Sequence, residues 1–170
     1  IESWIFAGAS RILVTAPALL EYVHAQGVTR QKIRVLPCGV STEMFASARA
    51  PGVLDHKEFV LGFVGSLKPW HGVEVLLEAM RQLYYRNSRY RLLLVGDGPL
   101  MPEVQAFCQR YYLSEYITCV GSVEREQVAQ YLEQMDVGIA PYPPLSQFYF
   151  SPLKIWEYAA AGVPLSLIHI

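Results

Sequence analysis

The sequence predicts an α/β protein whose core is a doubly wound, parallel, Rossmann-like sheet. From residue 59 onward, apolar segments of five or six residues alternate with longer segments in which apolar residues recur at helical spacing. The short segments are apolar at nearly every position, as strands covered by helices on both faces are. Strands and helices that alternate in this way form parallel sheets, and ligands bind beyond the carboxyl ends of their strands.

Two short strands are predicted in the first part of the chain, at residues 11–15 and 32–36, with a helix at 17–26 between them. Residues 47–57 contain Pro51 and Gly52 and show no apolar period, so they form the predicted linker.

Beyond the linker the apolar segments predict four strands, at residues 59–64, 90–95, 116–120 and 136–140. Helical spacing of apolar residues predicts the helices that follow them, at 73–83, 101–111, 128–135 and 151–162. In the last of these, Ser151 can cap the helix, Pro152 suits its first position and Gly162 can end it.

Composition excludes several classes of protein. The 170 residues are 52% hydrophobic and 17% charged, which is enough apolar material for a sizeable core. A net charge of −1 provides no field that would attract nucleic acid, and no apolar run is long enough to span a bilayer. The three cysteines form no metal-binding or redox pair, which favours a reducing compartment, and the first residues predict that the chain begins inside a longer protein.

The helix predicted at 151–162 is a candidate anion site. Free backbone N–H groups at its start, together with Lys154, favour a phosphate, and Glu157 lies one turn further along, where it could accept hydrogen bonds from a sugar. The alternative is an amphipathic helix on which Lys154 and Glu157 face solvent.

Three loops lie at the predicted carboxyl ends of the strands. The first loop, residues 65–72, offers Gly65 for close backbone approach and Ser66 and Lys68 for phosphate oxygens, while His71 is either a phosphate ligand or a packing residue. The second loop, residues 96–99, is explained by a tight turn. The third loop, residues 121–123, exposes the backbone of Val123, which could bind a base edge, and the alternative is that Ser122 caps the next helix. Neither the GxxxxGK[ST] phosphate loop nor the GxGxxG dinucleotide motif occurs in the chain.

These three loops and the segment 151–164, in this order, resemble the nucleotide-sugar-binding C-terminal domain of the group 1 (family 4) glycosyltransferases, which have the GT-B fold. The resemblance implies the end of an N-terminal acceptor domain and the crossover at 1–46, a linker at 47–57, and a nucleotide-sugar-binding domain at 58–170, truncated at its C-terminus.

The resemblance further implies transfer of a sugar from a nucleotide-diphosphate donor with retention of configuration. Lys68 and the helix amides near Leu153 and Lys154 would hold the diphosphate, Glu157 the ribose, and the backbone of Val123 the base. Catalytic residues are expected in the missing N-terminal domain.

Three positions depart from the family pattern. Tyr149 occupies the place of the first of two paired glutamates, Ser66 the place of a basic residue, and His71 the place of a lysine. We therefore expect Lys68 to supply the charge within the first loop.

The resemblance also implies two partners, a nucleotide-sugar donor and an unknown carbohydrate or lipid-linked acceptor. It implies a cytoplasmic protein that binds no cofactor, no metal and no nucleic acid. It is compatible with peripheral membrane association of the parent protein. Two alternatives stay open, a sugar-nucleotide epimerase of the same fold and a non-catalytic, flavodoxin-like binding module. Residues 165–170 read either as a short strand or as translated sequencing-adapter sequence.

Overall fold

A computed structural model describes residues 2–45, 57–144 and 151–168. These residues fall into two compact units, and each is described by itself. Of the predicted linker at 47–57, only residue 57 is among the described residues. Tyr149 lies outside them.

The first unit comprises residues 2–39 and 151–153 and contains a two-stranded parallel sheet. Helix α1 (Glu2–Gly8) is followed by strand β1 (Ile12–Val14), helix α2 (Pro17–Ala25) and strand β2 (Ile33–Val35). A small core of Val14, Val23, Val28 and Ile33 joins α2 to the sheet. The short helix α1 was not predicted from the sequence.

The second unit comprises residues 40–45, 57–144 and 154–168 and is built on five parallel strands. Its elements are β3 (Phe59–Val64), α3 (Val73–Arg86), β4 (Tyr90–Val95), α4 (Met101–Arg110), β5 (Ile117–Gly121), α5 (Val128–Leu132), β6 (Val137–Pro141), α6 (Leu153–Ala160, of which Leu153 belongs to the first unit) and β7 (Leu165–Ile168). The strand order is β5-β4-β3-β6-β7, and every pairing is parallel.

Helices cover both faces of this sheet, because neighbouring residues of each strand point to opposite sides. Leu92 and Leu94 of β4 pack into a core shared with α3 and α4. Leu93 and Val95 pack into a second core shared with α5 and α6. The predicted doubly wound parallel sheet is therefore confirmed.

The strand predictions for β3 and β4 are confirmed to the residue. The other predicted elements are present with ends that differ by a few residues, and the last segment is a strand, β7, that pairs with β6 from Gly138↔Leu165 to Pro141↔Ile168. No helix among the described residues is long and apolar enough to cross a membrane.

Candidate functional site

The three loops of the sequence prediction meet at the carboxyl ends of β3, β4 and β5, where backbone hydrogen bonds hold them together. The Leu67 N–H donates to the Asp97 carbonyl over 2.9 Å, and the Gly96 N–H donates to the Gly121 carbonyl over 2.8 Å. The Leu100 N–H returns a bond to the Leu67 carbonyl over 3.1 Å. One rigid edge therefore carries all three loops.

Gly96 makes this close approach feasible. Its φ is +132°, and a Cβ built on it would lie 2.1 Å from the carbonyl oxygen of Gly65. No larger residue fits there without moving the first loop away from the second. The close contact with Gly65 requires a glycine at position 96, which the sequence alone explained by a tight turn.

A pocket of about 230 Å³ opens between the three loops. Its lining comes from the three loops and from the ends of β3, β4 and α5, namely Val64, Gly65, Ser66, Val95, Gly96, Asp97, Ser122, Val123 and Val128. The pocket thus brings together Gly65, Ser66 and Val123 from the predicted site. Its walls offer apolar surface and backbone groups to a planar ligand.

Lys154 of α6 is the only charged residue among the buried residues of the described chain, with 7% of its surface exposed. Its Nζ lies 3.9 Å from the ring centroid of Phe63 and 5.3 Å from that of Tyr142. Among the described residues Nζ has no hydrogen-bond acceptor. The aromatic faces attract the ammonium but provide none of the acceptors that a buried cation requires.

The Lys154 ammonium points at the first loop. Its Nζ lies 3.1 Å from the position that a Cβ on Gly65 would occupy. Burial lowers the pKa of Lys154 to about 7, an effect that Glu157 opposes. Since Gly65 also lines the pocket, an anion beside Gly65 would meet the buried amine at one side and the pocket at the other.

His71 is held by the first loop rather than projecting from it. Its Nδ1 lies 2.6 Å from the Ser66 carbonyl oxygen, and a carbonyl only accepts, so Nδ1 carries a hydrogen. The ring packs edge-on against Tyr142, with centroids 5.9 Å apart. Burial lowers the pKa of His71, the hydrogen bond to the Ser66 carbonyl opposes this, and the charges of Lys154 and Lys68 lower it further. In the neutral ring Nε2 is left as an acceptor.

Lys68, which the sequence predicts to supply the charge of the first loop, lies over Trp70 of the same loop. Its Nζ is 5.0 Å from the ring centroid of Trp70, and its side chain is partly exposed. The residue that points at Gly65 is Lys154.

Glu157 lies on α6 one turn before the helix ends, partly buried. Burial raises the pKa of its carboxyl, and the charges of Arg125 and Lys154 oppose the rise. Arg125, in the short 3-10 helix Arg125–Gln127 after β5, was not singled out from the sequence, because the chain separates it from Glu157 by 32 positions. The carboxylate is an acceptor set between two cations.

Leu153 begins α6, belongs to the first unit and exposes 39% of its surface, so the structure does not test its predicted role. Within the same unit the Ser151 hydroxyl accepts the N–H of Cys38 over 2.9 Å.

Sequence reasoning also missed the aromatic residues that bury Lys154. Phe63 precedes the first loop by two residues, and Tyr142 follows β6, so only the sheet order brings them to the same amine. The arrangement as a whole can bind an anion at Gly65 and Lys154 and place an attached planar group in the neighbouring pocket. Glu157 adds an acceptor for hydroxyl groups.

Comparison with known proteins identifies the family. A family model described as glycosyl transferases group 1 matches residues 58–165. A glycosyltransferase of Bacillus subtilis (strain 168) named for teichuronic acid biosynthesis, TuaH, is 34% identical over 142 residues, which are 80% of this chain and 34% of that protein.

Solved structures agree in fold. Sucrose-phosphate synthase from Thermosynechococcus elongatus is 28% identical, with a TM-score of 0.75 over 98% of this chain and 42% of that one. HepE of Anabaena, solved in complex with UDP and glucose, gives a TM-score of 0.75 at 18% identity over 96% of this chain and 45% of its own.

The chain spans about a third of the length of TuaH. None of these relatives supports the epimerase or the flavodoxin-like alternative, and the GT-B assignment is confirmed. The match over residues 58–165 covers well over half of the chain, which therefore belongs to the group 1 glycosyltransferases.

Proposed function

We propose that the second unit binds the nucleotide-sugar donor of a glycosyltransferase, and that the parent protein transfers the sugar with retention of configuration. The observation that carries the proposal is the buried Lys154 ammonium, which lacks a hydrogen-bond acceptor in the described part of the chain and points at Gly65. A buried cation is costly unless an anion reaches it. The family supplies the expected anion, a nucleoside diphosphate.

The diphosphate would lie beside Gly65 and Lys154, where the ammonium stabilises the negative charge that develops on the leaving group as the bond to the sugar breaks. Stabilisation at this point favours the transition state over the bound donor. Ser66 and His71 line the same loop and provide a hydroxyl and a ring nitrogen nearby. The backbone N–H of Lys154, in the first turn of α6, is a further donor for a phosphate oxygen.

The base would occupy the pocket of about 230 Å³ against the backbone of Val123, and Glu157 would accept hydrogen bonds from the ribose hydroxyls. HepE was solved with UDP, which makes UDP the first nucleotide to test. The acceptor would be a carbohydrate or a lipid-linked carbohydrate bound largely by parts of the parent protein outside this chain, and the catalytic residues would lie there as well. TuaH, named for teichuronic acid biosynthesis, supports a polysaccharide product.

We also propose that the protein works in the cytoplasm, with the parent able to associate peripherally with a membrane. The three cysteines are unpaired, which is compatible with a reducing compartment. We propose no cofactor beyond the donor itself.

Titration calorimetry of the 170-residue chain with UDP, GDP and ADP tests the donor proposal. We expect one of them to bind, and the corresponding nucleoside (uridine, guanosine or adenosine) to bind more weakly because it lacks the diphosphate. A chain that binds none of the three diphosphates would contradict the proposal. Retention is checked separately, by the anomeric configuration of the product formed by the parent protein, as seen by NMR.

A further inference from the structure

Strands β3 and β6 separate before they reach the candidate site. Their ladder contains only the pairs Leu61↔Val137 and Gly62↔Gly138. On its other side β3 remains paired with β4 as far as Val64↔Val95, so only one edge of β3 is open. The opening lies immediately before Gly65.

The hydroxyl of Tyr158 fills this opening. It accepts the Val64 N–H over 2.8 Å, a bond that an adjacent strand would otherwise supply. The same hydroxyl lies 3.4 Å from the Ile139 carbonyl oxygen and 3.5 Å from the Gly62 carbonyl oxygen, and it can donate to one of them. One side chain of α6 thus replaces a rung of the ladder between β3 and β6.

Gly138 of β6 leaves room for the Tyr158 ring. A Cβ on Gly138 would lie 2.7 Å from atoms of the Tyr158 ring, so the ring lies directly on the backbone of β6. Tyr158 is fully buried. Burial raises the pKa of the phenol well above its usual range, so the hydroxyl stays neutral and keeps both its donor and its acceptor.

Tyr158 and Lys154 are four residues apart on α6, and side chains at this spacing lie on the same face of a helix. One binds the Val64 N–H, and the other points at Gly65, the next residue along the chain. The two side chains therefore reach adjacent residues of the same backbone segment from one helix, Tyr158 through a hydrogen bond and Lys154 by proximity.

We propose that Tyr158 is a positioning residue for donor binding: its hydroxyl holds β3 and β6 apart and sets the distance between the Lys154 ammonium and the first loop. The proposal rests on the proposed function, because it assigns Lys154 to the diphosphate. Tyr158 itself touches neither the diphosphate nor the base.

The test is Tyr158→Phe, titrated with UDP and uridine, GDP and guanosine, and ADP and adenosine. We expect affinity for the diphosphate that binds the wild type to fall about tenfold, because the ammonium is displaced. Affinity for the matching nucleoside should fall by less, about twofold, because Val64 lines the base pocket but Lys154 does not. Tyr131→Phe is the control, since Tyr131 packs against the same core without entering the ladder.

A double-mutant cycle with Lys154→Met distinguishes positioning from general loosening. If the hydroxyl acts through Lys154, Tyr158→Phe has no further effect on diphosphate affinity once Lys154 is Met. Equal losses for diphosphate and nucleoside, or additive losses in the cycle, would overturn the inference. A wild-type chain that binds no diphosphate would instead contradict the proposed function.

If Tyr158→Phe fails to fold, hydrogen exchange of the wild type decides. Diphosphate binding should slow exchange of the Val64 amide more than nucleoside binding does, because the base contacts Val64 in both cases but only the diphosphate engages Lys154 beside Gly65. Exchange at Val64 that is equal in the free and diphosphate-bound chain would overturn the inference.

Discussion

Among single residues, the position of the two candidate lysines decides how the site is interpreted. Lys68 lies over Trp70 with a partly exposed side chain, whereas Lys154 is buried against Phe63 and points at Gly65. A charge in a medium of low dielectric interacts more strongly with a partner than an exposed charge does. Lys154 is therefore expected to contribute more of the diphosphate affinity.

The first prediction compares the two lysines directly. Lys154→Met should weaken binding of the diphosphate by roughly 2–5 kcal/mol, the range for removing one partner of a buried charge pair. Lys68→Ala should weaken it by about 1 kcal/mol or less, as exposed ion pairs do. Calorimetry measures both, with Lys57→Met, an exposed lysine outside the site, as the control. A larger loss for Lys68→Ala would restore Lys68 as the main charge of the loop.

The second prediction concerns pH. Because burial lowers the pKa of Lys154 to about 7, the free site loses its positive charge as the pH rises above that value. Diphosphate affinity should therefore decrease between pH 7 and pH 9, a range in which the terminal phosphate, with a pKa of about 6, is already ionised. Titrations across this range check the trend, which Lys154→Met should abolish. An affinity that is constant with pH in the wild type would contradict control of diphosphate binding by the titration of Lys154.

At the scale of elements, the site depends on how closely three loops approach one another. Gly96 of the second loop lies against the Gly65 carbonyl of the first loop. The Gly96 N–H also donates to the Gly121 carbonyl of the third loop. The pocket is formed by this backbone network as much as by side chains.

Gly96→Ala provides the third prediction. Its Cβ would lie 2.1 Å from the Gly65 oxygen at a φ of +132°, so the loops must separate. We expect a loss of about 1–3 kcal/mol in the free energy of unfolding, measured by urea denaturation, together with weaker diphosphate binding. Gly39→Ala is the control, because a Cβ there meets nothing within 4 Å. Equal stability of the two variants would contradict the close approach.

The elements themselves were predictable to different degrees. Strand β3 is apolar throughout, β4 is apolar except at Arg91, and a glycine follows each, so their bounds follow from the sequence. Helix α1 is only seven residues long, too short for a helical period to stand out. The predicted start of α6 at Ser151 shifts to Leu153, and the Ser151 hydroxyl binds the Cys38 amide, a partner 113 positions away that no local pattern reveals.

Considered as a whole molecule, the chain contains one unit built on five parallel strands and another with a separate small core. Order along the chain was sufficient to predict the family, because four motifs follow four strands in sequence. It was insufficient to choose between Lys68 and Lys154, since burial of an amine depends on residues as distant as Phe63 and Tyr142. The role of Tyr158 depends in the same way on where β3 and β6 separate.

The fourth prediction tests whether donor binding by the chain is independent of metal, as we propose. Lysine and backbone amides can neutralise a diphosphate without a divalent cation. Diphosphate affinity should then be the same in EDTA and in millimolar Mg²⁺, measured by calorimetry in matched buffers. Binding that EDTA abolishes would contradict this part of the proposal.

Burial of Lys154 also implies a conflict between stability and function. At pH 6 the folded chain retains a charged amine away from water, so the ligand-free fold is less stable than its packing alone would allow. Lys154→Met should raise the free energy of unfolding at pH 6 by roughly 1–4 kcal/mol while abolishing most diphosphate binding. The gain should shrink toward pH 9, because the wild-type amine is then neutral when folded and still protonated when unfolded. Thermal unfolding of both variants at the two pH values would show whether methionine at this position makes the stronger fold.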